Sequence, residues 1–453
     1  MNNLRILHLN DLHSHLEHFP VIERFFAEKS SQGIETLRFD LGDNVDRVHP
    51  LTEATQGQIN VALMNQLHLT AATIGNNEGL GLTHTMLSHL YDEANFPVLL
   101  SNLATNFAHS TPMVVTTTFG LRVGLIGLTA PYTRAYPQAG WDLSDPFEVL
   151  DELLPQLDCD FTILLSHLGK NVDEKIARSY AIDLIIGAHT HHLFEHGAQV
   201  EQTLLAAAGR YGDHVGQIDL TFDEQNHLVD AKIEAIATNT LPQKKSDLVE
   251  INGWELKGHA LLKGTVVAQL KAPLSNRYPD FAASYYFAEL FAQAAHTSLA
   301  VVNSGLVVAD QLPACLTLDD LHEILPHSIR LVRFTFTGDE LKRVLLEMMD
   351  VSAYLATQQI QGMGFRGKTF GSLIFYGLEF RKGDFYLKKR GAPRGEKLNP
   401  QSVYQIALPD QYLFAWYFPL LKKLGESEIL FPYFLREIVA EHFKRLEIEI
   451  EKD

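Results

Sequence analysis

Short apolar runs alternate with helically spaced apolar positions through the first half of the chain. Leu4–Leu9, Thr36–Asp40, Ala71–Ile74, Val98–Ser101, Phe161–Ser166, Leu184–Gly187 and Leu204–Ala207 read as strands. Between them, Gly57–Leu67, Thr83–Glu93, Pro146–Gln156 and Asp173–Tyr180 read as helices. Strands separated by helices predict a layered α/β domain. Val114–Thr118 and Arg122–Leu128 predict a hairpin turning at Phe119-Gly120. Gly216–Phe222 with Val229–Ala235 predicts a second hairpin that closes the domain.

The pattern changes near Thr238. Asn239-Thr240-Leu241-Pro242 breaks the strand, and Lys244 to about Lys263 has helical spacing. A second α/β unit follows, with a helix at Ser284–His296 and a buried strand at Ala300–Asn303. Phe334–Phe336, Leu373–Phe380 and Tyr404–Ala407 read as further strands. The expected organisation is a domain over 1–240, a helical linker over 241–264 and a smaller α/β domain over 265–453. The basic run Lys388-Lys389-Arg390 beside Gly391-Ala392-Pro393 predicts a solvated hairpin loop.

Composition narrows the function. A chain of 453 residues with formal net charge -18 repels a nucleic-acid backbone, so no nucleic-acid partner is expected. No apolar run is long enough to cross a bilayer, and the N-terminus enters a strand directly, so a cytoplasmic location without a membrane partner is expected. Cys159 and Cys315 make no disulfide framework and read as buried free thiols.

Candidate chemistry sits where the strands end. Leu4–Leu9 is followed by Asn10-Asp11-Leu12-His13, Thr36–Asp40 by Gly42-Asp43-Asn44, and Ala71–Ile74 by Gly75-Asn76-Asn77-Glu78. Phe161–Ser166 is followed by His167, and Leu184–Gly187 by Ala188-His189-Thr190-His191. Each motif alone is weak, since a Gly-Asp pair is usually a turn and paired histidines are usually unrelated. Five successive junctions offering Asp, Asn or His are a different matter, because ligands of α/β sheets gather beyond the carboxyl ends of strands. A mixed nitrogen and oxygen donor set suits Mn, Zn, Fe or Co and suits Mg or Ca poorly.

This set resembles the calcineurin-like metallophosphoesterases, and specifically the 5′-nucleotidase family, over the whole chain. The resemblance implies a four-layer αββα catalytic domain followed by a substrate-binding domain, with the cleft between them. It implies two divalent metal ions, one held by Asp11, His13 and His191, the other by Asn76, His167 and His189, with Asp43 bridging. His191 stands where the family more often has Gln. The implied reaction is hydrolysis of a nucleotide or nucleotide-derived phosphate ester or anhydride by metal-activated water, on a small-molecule substrate. A cyclic-nucleotide or nucleotide-sugar phosphodiesterase, and a metal-dependent nucleotide-binding protein, are the alternatives.

Two departures from the family matter. Its Gly-Asn-His-Glu segment reads Gly75-Asn76-Asn77-Glu78 here, and the aspartate three residues on is Leu80. Asp43 and Asn77 therefore stand at the positions of catalysis, but an asparagine cannot deliver a proton to an alkoxide. Asn77 donates a neutral hydrogen bond to a substrate with a good leaving group, or His15, His18 or His192 substitutes, or the protein binds without cleaving. In the second domain the usual arginine segment reads Asn303-Ser304-Gly305-Leu306-Val307-Val308. By the resemblance, Asn303, His327 and Arg330 meet substrate, and Tyr412 or Phe414 stacks on a base. Core packing competes for both aromatic residues, because Phe414–Leu421 is apolar.

Overall fold

The structure is a computed structural model that describes residues 1–360, 362, 364–388 and 395–450, with side chains to residue 444. It divides into two units, Met1–His259 and Ala260–Asp453. The basic run at 388–390 and its turn lie, except for Lys388, outside the described residues.

The first unit holds eleven strands. They are β1 (Asn2–Leu9), β2 (Glu35–Asp40), β3 (Ala71–Ala72), β4 (Met113–Thr116), β5 (Arg122–Thr129), β6 (Phe161–His167), β7 (Leu184–Gly187), β8 (Ala198–Val200), β9 (Thr203–Ala206), β10 (His214–Phe222) and β11 (Leu228–Ala237). One sheet has the order β11-β10-β1-β2-β3, the other β4-β5-β6-β7-β9-β8. β1, β2 and β3 run parallel, as do β5, β6, β7 and β9. Both predicted hairpins form, as the antiparallel pairs β4–β5 and β10–β11.

Alternation within single strands builds four layers. Leu4 and Ile6 of β1 meet Leu125, Ile163 and Ile186 between the two sheets. Leu7 and Leu9 of the same strand face Phe25 and Phe26 of the helix Phe19–Ser30 and Val61 of the helix Gln58–Gln66. On the far side, Ile126, Leu164 and Ile185 pack on Leu150 and Ile176 of the helices Pro146–Leu153 and Lys170–Ser179. The arrangement is the expected αββα sandwich. Each fully buried Leu or Ile contributes about 2 kcal/mol, so both faces of β1 and β6 hold the strand ends in place.

Several elements differ from the sequence pattern. Ala71–Ile74 is a strand only over Ala71–Ala72, and Val98–Ser101 contributes isolated bridges at Val98 and Leu99. Residues beyond Ala72 turn away to present side chains rather than continue a ladder. The Leu373–Phe380 run breaks at Gly377, whose φ is +73 and whose added Cβ would lie 2.1 Å from Ser298 O. Its first half, Leu373–Tyr376, pairs with Ala300–Asn303, while Leu378–Arg381 pairs with Asp384–Leu387 in another sheet. Cys315 is exposed and Cys159 half-buried, so neither thiol is a core residue.

The expected linker helix, Lys245–Lys263, is docked on the first unit for most of its length. Arg24 grips both oxygens of Asp247 at 2.8 and 2.7 Å, and Trp254 packs edge-on against Phe19. In the second unit the main sheet runs Leu373–Tyr376, Ala300–Asn303, Val403–Pro409, Leu331–Thr337, Glu426–Ile429. No helix among the described residues is long and apolar enough to cross a membrane.

Candidate metal centre

The carboxyl ends of β1, β2, β3, β6 and β7 meet at one edge of the sandwich, and their loops deliver seven polar side chains. The loop backbone is unusual. Asp11, His13, Asp43, His189 and His191 have φ of 52, 50, 50, 72 and 53°, in the left-handed region that costs a non-glycine residue about 1 kcal/mol or more. Asp and His tolerate it better than most, and the strain turns each side chain inward. Two glycines allow the loops to touch: a Cβ on Gly42 would lie 2.2 Å from Gly75 N, and one on Gly75 would lie 2.0 Å from Asp43 Oδ1.

Two groups of candidate ligands result: Asp11, His13 and His191, and Asp43, His167 and His189. His13 Nε2 and His191 Nε2 face each other at 3.1 Å, and His191 Nε2 is 3.5 Å from Asp11 Oδ1. Asp43 Oδ2 stands between the groups, 3.6 Å from His13 Nε2 and 3.4 Å from His167 Nε2. Its other oxygen accepts from Asn77 N at 2.7 Å, so one oxygen is anchored and one is offered.

Neighbours fix the orientation of each ring. His167 Nδ1 lies 2.7 Å from Leu41 O, which makes Nδ1 a donor and turns Nε2 toward Asp43; against burial, the Asp43 carboxylate pushes this ring up to about 10, so a cation at Nε2 would take the place of a proton. His13 Nδ1 is 3.2 Å from Asp46 Oδ2, again turning Nε2 inward. His189 N points at both oxygens of Asp11 at 3.1 Å, while Asn10 Nδ2 donates to Asp11 Oδ2 at 3.1 Å. Glu78 accepts from the amides of Asp43, Val45 and Gly75 at 2.9, 2.8 and 2.9 Å, joining the two loops. Burial pushes the Glu78 carboxyl up to about 7.

The residues fit cations. His167 Nε2, His189 Nδ1 and Asn76 Oδ1 are buried and form no hydrogen bond, with His167 Nε2 lying 3.4 Å from Asp43 Oδ2. Burial and neighbouring positive rings pull His189 and His191 down to about 4, which keeps both imidazoles neutral and able to donate a lone pair. Burial opposes ionisation of Asp43, yet His167 and His13 hold its carboxyl far below the usual range. Six of the seven predicted ligands fall in these two groups, and Asn76 follows Gly75, whose backbone lies against Asp43 and His167.

The other predicted residues are placed differently. The Asn77 side chain sits 2.7 Å from His13 Nδ1 and accepts from Asn76 Nδ2 at 3.2 Å. His192 turns outward, with Nδ1 2.9 Å from Thr190 Oγ1. His15 pairs with Glu17 at 2.7 Å and stacks on Tyr211, whose ring is 5.6 Å from that of His13. His18 lies 3.9 Å from Glu17 and 4.0 Å from Asp213.

In the second unit, Asn303, His327 and Tyr412 are fully buried, which corrects the expectation that they face a ligand. Tyr412 OH donates to Asn303 Oδ1 at 2.8 Å, and Asn303 Nδ2 donates to Phe370 O at 2.7 Å. His327 stacks on Phe365 and has both nitrogens engaged, by Leu306 O at 2.8 Å and Arg366 N at 2.9 Å. Arg330 is buried between Phe431 and Phe434, at 4.7 and 4.3 Å. Phe414 alone of the five is exposed.

A layered sandwich with such a centre is the scaffold of a metal-dependent phosphoric ester hydrolase. The chain belongs to the calcineurin-like metallophosphoesterases, with the two-part organisation of 5′-nucleotidases. Residues 4–193 match the calcineurin-like phosphoesterase family, and residues 266–414 match the 5′-nucleotidase C-terminal domain. The metallophosphoesterase YunD of Bacillus subtilis is 33% identical over 96% of this chain and 98% of that protein. The trifunctional nucleotide phosphoesterase protein YfkN of the same organism is 23% identical over 89% of this chain and 31% of that protein. The solved NAD nucleotidase of Haemophilus influenzae shares the fold at TM-score 0.65 and 17% identity, over 98% of this chain and 96% of that one. The 5′-nucleotidase precursor of Thermus thermophilus does so at 0.58 and 22%, over 98% and 96%.

Proposed function

We propose that the protein hydrolyses nucleotide-derived phosphoanhydrides and activated phosphate esters at a dinuclear centre. Asp11, His13 and His191 would hold one cation, Asn76, His167 and His189 the other, and Asp43 would serve both. The nitrogen-rich donor set favours Mn, Zn, Fe or Co. When bound, such ions neutralise phosphate oxygens and lower the pKa of water. The observation that carries the reading is the trio of orphaned buried atoms, His167 Nε2, His189 Nδ1 and Asn76 Oδ1. His167 and His189 share a candidate group with Asp43, which offers one oxygen and has the other held by Asn77 N.

The chain's own residues do the positioning. Asp46 and Leu41 O set the faces of His13 and His167, and Glu78 keeps the Asp43 and Asn76 loops at fixed separation. Asn77 supplies hydrogen-bonding capacity without a transferable proton. A leaving group that is itself a stable anion needs no proton, whereas a ribose hydroxyl does. The test is phosphate release from nucleoside diphosphates, nucleotide sugars, cyclic nucleotides, p-nitrophenyl phosphate and AMP, with added Mn and again with chelator. Expected is chelator-sensitive release, fastest from anhydrides and p-nitrophenyl phosphate. A clear preference for AMP refutes the leaving-group reading, and ligand binding without release refutes hydrolysis.

A further inference from the structure

One cationic side chain at the centre has no assigned task. Gly209-Arg210-Tyr211-Gly212 follows β9, and the loop is tied to the first ligand loop at two points. Tyr211 N donates to Asp11 O at 2.7 Å, and Asn10 Nδ2 donates to Gly209 O at 2.9 Å. Positive φ at Gly209, Tyr211 and Gly212, of 77, 62 and 75°, makes the loop a tight, defined structure. It carries the exposed Arg210 up to His191, with Nη1 3.3 Å from His191 Nδ1. The guanidinium lies 4.5 Å above the Tyr211 ring, which stacks in turn on His15.

Among the described residues no carboxylate pairs with Arg210, in a chain with 55 acidic and 37 basic residues. The contact with His191 does not account for its placement either. An imidazole that holds a cation through Nε2 carries its proton on Nδ1, and an N–H cannot accept from a guanidinium. A guanidinium beside two divalent cations is also repelled unless an anion joins the group. Loading the centre thus removes the hydrogen bond to His191, leaves the guanidinium on the Tyr211 face, and adds a reason for it to meet an anion. Its planar fork, held against an aromatic face, is suited to phosphate oxygens.

We propose that Arg210 is the specificity-determining contact of the centre, and that it binds the second phosphate of a phosphoanhydride. This rests on the hydrolytic reading above and deepens it. Water oxygen bonds to the attacked phosphorus, the bridging P–O bond breaks, and its electron pair departs with the other phosphate. The protons of water pass to the two phosphate products and solvent. Arg210 offsets the charge on the departing phosphate, where other enzymes would deliver a proton. Charge in place of a proton donor is consistent with an asparagine at position 77.

The experiment compares wild type, Arg210→Ala and Arg210→Lys as full chains with added Mn. Hydrolysis of a nucleoside diphosphate should fall about 100-fold in kcat/KM in Arg210→Ala, roughly tenfold more than the loss on p-nitrophenyl phosphate. Lys should restore part of it, having charge without the fork. Calorimetry supplies the second arm: methylenediphosphonate binding to the Mn-loaded protein should weaken about 30-fold in Arg210→Ala, with inorganic phosphate affected less. Equal losses on both substrates, unaltered methylenediphosphonate affinity, or weakened Mn binding would each overturn the proposal, the last by showing that Arg210 orients His191. If wild type cleaves nothing in the panel, the hydrolytic reading fails, and the calorimetric arm still decides the role of Arg210.

Discussion

The predicted site residues of the two units bury their polar atoms in opposite ways. In the first, His167, His189 and Asn76 each keep one buried atom without a partner. In the second, Asn303 and His327 have each polar side-chain atom matched, by Tyr412, Phe370, Leu306 and Arg366. An unmatched buried polar atom costs about 1–3 kcal/mol, so a fold keeps three together only where something else completes them. Matched atoms need no completion and belong to packing. A polar residue's identity says little about its role until its hydrogen bonds are counted.

Four substitutions test this contrast. Asp43→Ala removes the oxygen offered to both ligand groups and should cut turnover about 1,000-fold or more, with a fall in bound Mn measured by calorimetry. Retained turnover would break the contrast at its strongest point. Glu78→Ala unmakes three charge-assisted hydrogen bonds and should lower the stability of the first unit by roughly 3 kcal/mol, followed by urea unfolding. An unchanged midpoint would show that the two loops hold together without it. Asn77→His restores a proton donor and should raise turnover of AMP by up to about 100-fold, with a smaller gain on anhydrides. Equal gains on both would mean that protonation of the leaving group is not what position 77 lacks. Tyr412→Phe should cost the second unit about 1 kcal/mol and leave KM untouched, as expected for a residue wholly inside the core. A raised KM would return Tyr412 to the substrate.

The candidate metal ligands were legible because each sits one to four residues past an apolar run, and the strand pattern alone brings those ends together. The left-handed turns that aim them were not legible, nor were partners such as Asp46, whose link to His13 spans 33 positions. Glu78 was visible as part of a motif, yet its role depends on the Asp43 and Val45 amides of another loop. Arg210 carried no signal, since an arginine between glycines reads as a surface turn. In the second unit, residue type suggested ligand contacts at Asn303 and Tyr412, whereas burial was decided by Phe370 and Phe418 packing around them. Leu373–Phe380 shows the same limit, because only the approach of Ser298 O to Gly377 explains why one apolar run serves two sheets.

The Glu78 staple has a consequence for how ions come and go. Because a carboxylate that touches no cation holds both loops at the correct spacing, the cradle keeps its shape when emptied. Swapping one ion for another at the proposed centre would then need no refolding, and which element resides there would pass from the protein's geometry to the supply around it.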